Sequence, residues 1–196
     1  LRPNESAVHS NLGVLLARLG RFDEAIAEYP EAYGLDPSNP SIILNLGLAY
    51  YKAGRITEAA AEFSKAKALA PDNLQTTLLL ADCDLRMGQN AKVIELLHLV
   101  EQQNPDNLAI AYMLGTALIR DNQIQEGQRR VDRILRNGDS AEARFLLGSQ
   151  MFAAGDFPAS VKQFAAAIEL NPSLPGLQSF YGQALLYTGD PDGPVV

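Results

Sequence analysis

The chain contains 196 residues and carries a formal net charge of -7 at pH 7. This acidic balance argues against a general binder of nucleic acids or anionic membranes, because both ligands repel negative charge. No apolar run approaches the ~18 residues that a membrane-spanning helix requires. Cys83 is the only cysteine, which excludes an internal disulfide and leaves the compartment open. We expect no nucleic-acid partner and no membrane association, and we favour a cytoplasmic location.

Three sequence markers recur at a fixed interval along the chain. Successive turn phrases, GLDPSNP, ALAPDNL and NPDNL, place their prolines 34 residues apart. A leucine followed by a small residue keeps nearly the same interval, and so does a glycine seven residues after that small residue. Markers in phase indicate an array of repeated structural units. The glycines are Gly20, Gly54, Gly88, Gly155 and Gly189, with Asn122 in the equivalent place of the fourth repeat.

Each repeat predicts two helices. Apolar residues recur at helical spacing on both sides of Gly54, which favours a left-handed turn between two amphipathic helices. Pro71 stops the second helix, and an Asp or Ser beside the proline is expected to cap the next first helix. In chain order, we predict one array over 1–196, with repeats at 6–39, 40–73, 74–107, 108–140 and 141–174, a sixth first helix within 175–196, and the end of a preceding repeat in 1–5.

Two places depart from this plan. Pro30 lies inside the second helix of the first repeat, where we expect a kink or an early end near Tyr29, with a functional hinge as the alternative. The fourth repeat lacks its proline and is one residue short at 137–139. We therefore expect altered stacking between the fourth and fifth repeats.

Small residues occupy the middle of the first helices, where glycine costs about 1 kcal/mol relative to alanine. They are Gly13, Gly47, Ala81, Gly115, Gly148 and Gly182. A glycine kept at that cost predicts a close approach of two helix backbones. The expected partners on the second helices are Ala25, Ala59 and Ser160, with Tyr29, Phe63 and Phe164 filling the space beside them.

The pattern L-G-x2-Y, then A-x3-F, then P, at a period of 34, resembles the tetratricopeptide repeat. The best match is Leu46, Gly47, Tyr50, Ala59, Phe63 and Pro71. Five complete repeats and one further first helix cover nearly the whole chain, although the tryptophan of the pattern is absent throughout and Asp84 replaces the tyrosine in the third repeat. The resemblance implies an all-α fold: an α-solenoid of antiparallel helix pairs forming a right-handed superhelix.

Residues that could support catalysis are not grouped in the sequence. His9 and His98 are the only histidines and lie in different repeats, and Cys83 is expected to be a small core residue. No glycine-rich phosphate-binding loop and no metal-ligand spacing is present. We therefore predict that the chain is not an enzyme and needs no metal or other cofactor.

In arrays that resemble this one, the first helices line a concave face. Their inward side chains pass from a polar, amide-bearing end to an apolar, aromatic stretch, which suits a segment of a partner protein. The alternative is that some of them pack under neighbouring helices. The predicted partner-binding groove comprises Asn11, Asn45, Tyr51, Leu78, Asp82, Tyr112, Met113, Phe145 and Phe152. Phe180 and Tyr187 extend the aromatic stretch.

Basic residues also recur at 34-residue intervals: Arg18, Lys52, Arg86 and Arg120. Each is expected to end a first helix, where the helix dipole favours a cation by about 0.3–1 kcal/mol. The alternative is a cationic rail along one lip of the groove for an acidic partner. A further group is expected to form a solvated outer face: Arg129, Arg130, Arg133 and Arg136.

The predicted function is a protein–protein interaction scaffold that binds a protein or peptide in the groove. Because Leu1 falls within a repeat, the chain looks like a piece of a longer protein, and the alternative is a substrate-docking segment of a larger enzyme such as a glycosyltransferase. RNA reading conflicts with the acidic charge. A clamp for chaperone C-termini is disfavoured, because Asn45 alone fits among the matching residues Ser10, Val14, Asn45, Gln75 and Leu79.

The two ends of the array are expected to expose apolar edges. Leu12 and Leu16 would lie at one end, and Tyr181 and Leu185 at the other. Exposed apolar edges favour association, so we predict end-to-end self-association at high protein concentration.

Overall fold

The computed structural model describes residues 3–136 and 138–189, and that part of the chain contains eleven α-helices and no strand. Residues 1–2, 137 and 190–196, which the predicted repeat boundaries include, lie outside it. The helices are α1 (Pro3–Arg18), α2 (Phe22–Leu35), α3 (Pro40–Lys52), α4 (Ile56–Leu69), α5 (Leu74–Arg86), α6 (Asn90–Gln103), α7 (Leu108–Arg120), α8 (Ile124–Arg136), α9 (Ala141–Ala153), α10 (Phe157–Leu170) and α11 (Leu177–Thr188).

The chain divides into two compact units, Leu1–Lys92 and Val93–Val196. In the first unit, α1 packs on α2, α2 on α3, α3 on α4, and α4 on α5. In the second, α7 packs on α8, α9 on α10, and α10 on α11. Because consecutive helices are joined by short turns and pack side by side, each such pair is antiparallel. The prediction of an all-α fold built from antiparallel helix pairs is confirmed.

Left-handed residues make the turn inside each helix pair. Gly20, Gly54, Gly88 and Gly155 have φ between 72° and 81°. In the fourth repeat, Asn122 takes this place with φ 64° and is the positive-φ residue other than glycine in the described part of the chain. Asparagine tolerates this region better than other side chains. The expected left-handed turn is therefore confirmed, including the repeat that lacks the glycine.

The caps between repeats differ from the expected ones. Asn39, Asn73 and Asn107, each two residues after the proline, accept hydrogen bonds from the first amides of α3, α5 and α7. The prediction that an Asp or Ser beside the proline caps these helices is therefore wrong for α3, α5 and α7. Asp36 instead accepts bonds from the Ser38 hydroxyl and the Asn39 side-chain amide, which holds the capping asparagine in place.

The central glycines of α1, α3 and α9 lie against aromatic rings. A Cβ atom added at Gly47 would lie 2.6 Å from Cε1 of Phe63, and one at Gly13 would lie 2.8 Å from Cε1 of Tyr29. The same relation holds between Gly148 and Phe164, at 2.6 Å. The prediction that Tyr29, Phe63 and Phe164 fill the space beside these glycines is confirmed.

The pair of α7 and α8 packs around its central glycine, Gly115, without an aromatic ring. Val131 occupies the aromatic position, and Gly127 faces Gly115 across the pair. A Cβ atom added at Gly127 would lie 2.8 Å from the carbonyl oxygen of Gly115. Here the two backbones do approach each other closely.

Pro30 does not end α2, which continues to Leu35. The predicted early end near Tyr29 is therefore wrong. Tyr29 and Ala32 are both buried whereas Pro30 is exposed, so the packed face of the helix continues on either side of the proline. This packing offsets the helix hydrogen bond that Pro30 cannot donate.

The junction between the fourth and fifth repeats differs from three other junctions between repeats. Contact between α8 and α9 is much less extensive than contact between α2 and α3, α4 and α5, or α10 and α11. Ser140 caps α9 in the absence of the usual proline phrase, and its hydroxyl accepts a bond from the amide of Ala143. The expected change in stacking is confirmed.

Substitution of Gly47 by alanine should destabilise the fold, although alanine is the better helix former. The added methyl would force the buried Phe63 ring to move, which costs about 1–3 kcal/mol and exceeds the helix-propensity gain of about 1 kcal/mol. Gly34→Ala in α2 is the matched control, because nothing lies within 4 Å of its added methyl. Urea unfolding should show that Gly34→Ala is neutral or stabilising. Equal effects of the two substitutions would contradict the ring contact.

Candidate partner-binding surfaces

The nine predicted groove residues differ in exposure. Asn11 is exposed, whereas Asn45, Tyr51, Leu78, Tyr112 and Phe152 are half-buried. Asp82, Met113 and Phe145 are 3%, 1% and 1% exposed. These three cannot meet a partner in this conformation, and the alternative of packing under neighbouring helices applies to them.

Phe145 on α9 is buried because aromatic rings from three other helices surround it. Its ring centroid lies 5.3 Å from that of Tyr112, 5.6 Å from that of Phe164 and 5.4 Å from that of Phe180. These distances fall in the range of favourable aromatic pairs, each worth about 0.5–1.5 kcal/mol beyond area burial. Phe145 is thus the centre of a cluster in the second compact unit and supports the rings that are partly accessible.

The accessible side of this cluster is formed by Tyr112 on α7, Phe152 on α9 and Phe180 on α11, all half-buried. We call these three residues the aromatic surface. Phe152 and Phe180 touch each other in an edge-on arrangement, with centroids 6.0 Å apart. Because each ring also packs on others, the aromatic surface is held in a fixed conformation.

One aromatic residue next to this surface was not predicted from the sequence. Phe157, the first residue of α10, stacks on Tyr187 with a centroid distance of 4.7 Å and an interplanar angle of 16°. Its ring also contacts Phe152 at 5.3 Å. The sequence signal was weak, because Phe157 begins a second helix, directly before Pro158, and does not lie on a first helix.

In the first compact unit, Tyr51, Asp82 and Arg86 form a polar cluster between α3 and α5. The Tyr51 hydroxyl donates a hydrogen bond of 2.5 Å to Asp82 Oδ2, and Arg86 Nε donates one of 2.9 Å to the same oxygen. Arg86 also donates from Nη2 to the Tyr51 hydroxyl at 2.6 Å, and its guanidinium lies 4.8 Å from the ring centroid. This cluster links two successive first helices.

Burial dominates the titration behaviour of this cluster. Burial raises the pKa of Asp82, although the charge of Arg86 and the hydrogen bonds from Tyr51 and Arg86 act in the opposite direction. Burial, with the nearby Asp82 charge, also raises the pKa of Tyr51. Cys83 next to it is fully buried, and burial raises its thiol pKa to about 12. The predicted role of Cys83 as a small core residue is confirmed.

The four periodic cations end their helices as expected: Arg18 ends α1, Lys52 α3, Arg86 α5 and Arg120 α7. Arg18, Lys52 and Arg120 are at least partly exposed. Arg86 differs, because its charge is compensated by Asp82 at 2.9 Å. The cationic rail therefore remains a proposal, and Arg86 contributes little net positive charge to it.

The arginines of α8 are not all solvated. Arg130 and Arg133 donate to the two carboxylate oxygens of Glu101 on α6, at 2.9 Å and 2.8 Å. Glu101 is mostly buried, so these bonds belong to the packing of α6 against α8. Arg129 and Arg136 are exposed. The expected solvated face is therefore limited to Arg129 and Arg136.

Three further observations bear on what the chain can do. His9 forms a contact of 2.8 Å between Nδ1 and Glu28 Oε2, which joins α1 to α2. Across residues 3–136 and 138–189, no group of three or more His, Cys, Asp or Glu side chains is arranged to hold a metal ion. None of the helices described above is both long and apolar enough to cross a membrane.

The apolar ends are built partly from residues other than those expected. Leu16 and Leu185 are buried, and Tyr181 is half-buried. At the amino-terminal end, the exposed residues are Val8, Leu12, Leu15 and Leu19. At the other end, Leu186 and Tyr187 are exposed. Adjacent residues differ in burial, as Leu15 and Leu16 do and as Leu185 and Leu186 do, and spacing alone did not distinguish them.

Comparison with known families gives matches to one kind of repeat. A family model described as "TPR repeat" matches residues 15–54. Two models described as "Tetratricopeptide repeat" match residues 40–73 and 112–175. A comparison with curated protein sequences found no match.

Solved structures with a similar fold are numerous. MamA from Desulfovibrio magneticus RS-1 has a TM-score of 0.68 at 20% identity, covering 86% of this chain and 96% of that one. The thermophilic TPR protein TTC0263 from Thermus thermophilus has a TM-score of 0.63 at 21% identity, covering 92% and 99%. YrrB, a TPR protein with an unusual peptide-binding site, has a TM-score of 0.62 at 19% identity, covering 84% and 86%. At these identities the likeness concerns the fold.

Asp82→Asn should show a pH-dependent effect on stability. The pKa of Asp82 is raised in the folded state. The stabilisation that protonated Asp82 gives to the folded state is therefore fully present below the unfolded pKa of about 3.9. It is lost as the pH rises through the folded pKa. The wild type should therefore gain stability relative to Asp82→Asn as the pH falls from neutral toward about 4.

Urea unfolding over this pH range measures the difference. Glu24→Gln in α2 is the matched control: the hydrogen bond from Arg21 lowers the pKa of Glu24, so its difference from the wild type should move in the opposite direction as the pH falls. A difference between wild type and Asp82→Asn that stays constant with pH would show that burial does not control this carboxyl group.

Proposed function

Because the chain belongs to the tetratricopeptide repeat family, we propose that it binds a peptide or an extended segment of a partner protein on the accessible side of its first helices. The family and the fold suggest a protein-interaction scaffold. The partner surface is assigned from the side chains. Each compact unit has its own: Asn11, Asn45, Tyr51 and Leu78 form the proposed surface of the first unit, and the aromatic surface is that of the second.

The aromatic surface carries this proposal. Aromatic side chains are enriched in protein interfaces, and binding energy concentrates in a few of them. Tyr112, Phe152 and Phe180 are only half-buried, yet Tyr112 and Phe180 pack on the buried Phe145, and Phe152 packs on Phe180. A surface that is already ordered loses little side-chain entropy when a ligand binds. These rings therefore suit apolar side chains of a bound segment.

The first compact unit offers a different kind of contact. Asn11 on α1 and Asn45 on α3 occupy the same place in successive repeats, and α1 contacts α3 directly. Neighbouring helices lie about 8–10 Å apart, which corresponds to about three residues of extended chain. The two amides can therefore each donate to and accept from the backbone of one extended segment. The peptide-binding site named for YrrB is consistent with a peptide ligand for this fold.

Selection from a library of random peptides against the purified wild-type chain tests the proposal. Phe152→Ala removes one ring of the aromatic surface. Thr116→Arg introduces a large cation at a half-buried position of α7, four residues after Tyr112. Each substitution should weaken the selected peptides at least about tenfold, which corresponds to about 1.4 kcal/mol. Fluorescence polarisation with labelled peptides measures the dissociation constants.

Leu99→Ala and Leu170→Ala are the matched controls, because both residues are exposed apolar side chains on second helices. Their affinities should stay within about twofold of the wild type, within the usual range for substitutions outside an interface. Circular dichroism melting separates loss of binding from loss of folding. Peptides that lose affinity in the controls but keep it in Phe152→Ala and Thr116→Arg would place the binding surface on the second helices instead.

A further inference from the structure

The charges of the first compact unit are distributed unevenly between its helices. The second helices α2 and α4 carry six carboxylates, none of them buried: Asp23, Glu24, Glu28, Glu31, Glu58 and Glu62. Helices α3 and α5 carry only Asp82 and Asp84, which are 3% and 6% exposed. The charged side chains that α3 and α5 expose are the cations Lys52 and Arg86. The accessible side of these two first helices therefore favours negative charge, although the chain as a whole has a net charge of -7.

Cations associated with α4 are compensated by carboxylates of the same helix. Arg55, just before α4, pairs with Glu58 at 2.9 Å, and Lys65 pairs with Glu62 at 2.8 Å. Within residues 3–136 and 138–189, in contrast, no carboxylate forms an ion pair with Lys52. The helix dipole favours a cation at the end of α3, but it leaves the three N–H donors of Lys52 available to a ligand.

The repeat register shows what Lys52 lacks. Its equivalent on α5 is Arg86, 34 residues later. Arg86 donates to Asp82, four residues before it. On α3 the place of Asp82 is taken by Leu48, whose side chain accepts no hydrogen bond. Lys52 therefore occupies the place of a paired cation without the internal carboxylate.

Two residues on the same side of α3 complete a possible contact surface. Asn45, Leu48 and Lys52 are separated by three and four residues, which places them along one side of the helix. Asn45 and Leu48 are half-buried, and Lys52 is exposed. We call these three residues the α3 stripe. It presents an amide, an apolar side chain and a cation in that order over about 10 Å, at 1.5 Å per residue.

We propose that the α3 stripe binds an acidic segment of a partner protein, with a carboxylate of that segment at Lys52. The proposal rests on the proposed function and names the ligand chemistry of the first compact unit. Lys52 receives from the partner the kind of group that Arg86 receives from Asp82. Leu48 contacts an apolar side chain of the same segment, and Asn45 bonds to its backbone.

Charge complementarity directs such a segment to α3. The carboxylates of α2 and α4 repel it from the second helices, whereas Lys52 attracts it. Complementary charges act more on association rate and binding register than on affinity, and an exposed ion pair contributes at most about fivefold in affinity. Leu48 and Asn45 supply the rest. A nucleic acid, the other acidic polymer, uses Leu48 poorly and is repelled by the net charge of the chain.

Peptides selected from a random library on the wild-type chain test this ligand chemistry. Those that bind Phe152→Ala as tightly as the wild type are kept, because they do not depend on the aromatic surface. They should be enriched in Asp and Glu relative to the library, and their affinity should fall as salt is added. Lys52→Glu should weaken them about fivefold or more, because the substitution replaces an attraction by a repulsion. Peptides in which lysine replaces the acidic residues should instead prefer Lys52→Glu to the wild type.

Lys65→Glu is the matched control, because it makes the same charge change on α4, where the Lys65 side chain is 61% exposed. Affinity for the acidic peptides should stay within about twofold of the wild type, as is usual outside an interface. Circular dichroism melting verifies that both variants fold. Equal losses in Lys52→Glu and Lys65→Glu would reflect net charge alone and would overturn the proposal.

The outcomes distinguish this proposal from the proposed function. A wild type that selects no peptide contradicts both, whereas peptides that bind but carry no excess of Asp and Glu, or that ignore Lys52→Glu, overturn only the acidic ligand. Recovery of peptides that all depend on Phe152 overturns it as well. A labelled single-stranded oligonucleotide should not bind. Oligonucleotide binding that Lys52→Glu abolishes, in the absence of acidic peptides, would assign the α3 stripe to nucleic acid and overturn the proposal.

Discussion

A ring packed against a residue without a side chain sets the geometry of most helix pairs in this protein. Phe63 on Gly47, Tyr29 on Gly13 and Phe164 on Gly148 each leave no room for a methyl group. The contact sets the distance between the two helices of a pair. It thereby also sets the orientation of the accessible side of the first helix. The accessible surface of each repeat depends on this contact, because a shift of the ring would turn the first helix and change which residues are buried.

The same constraint explains the fourth repeat. Val131 takes the place of the aromatic residue there. A second glycine, Gly127, lets the two helix backbones approach each other and fill the space that a ring would occupy. The helix pair is preserved by a different route. Its contact with the following repeat is reduced, however, and the ionic contacts of Arg130 and Arg133 with Glu101 attach α8 to α6 instead.

Local signals predicted the fold, and non-local packing decided the site. The glycines with positive φ and the turn at Asn122 could be placed from the sequence, because the left-handed turn depends on the residue at that position alone. The capping asparagines were missed, because an aspartate or serine directly precedes each of Asn39, Asn73 and Asn107, and all three residue types are favourable caps. Phe145 and Met113 were placed on the surface because helical spacing does not show which neighbouring helix covers them.

The sparse contact between α8 and α9 has a consequence for the dynamics of the second compact unit. In a repeat array, cooperativity is transmitted between neighbours through their interfaces, so a thin interface separates regions that open independently. The amides of α7 and α8 should therefore exchange with solvent deuterium in one group, and those of α9, α10 and α11 in another. The aromatic surface spans this divide, because Tyr112 lies on one side of it and Phe152 and Phe180 lie on the other. A ligand that holds all three rings would join the two groups into a single unfolding unit.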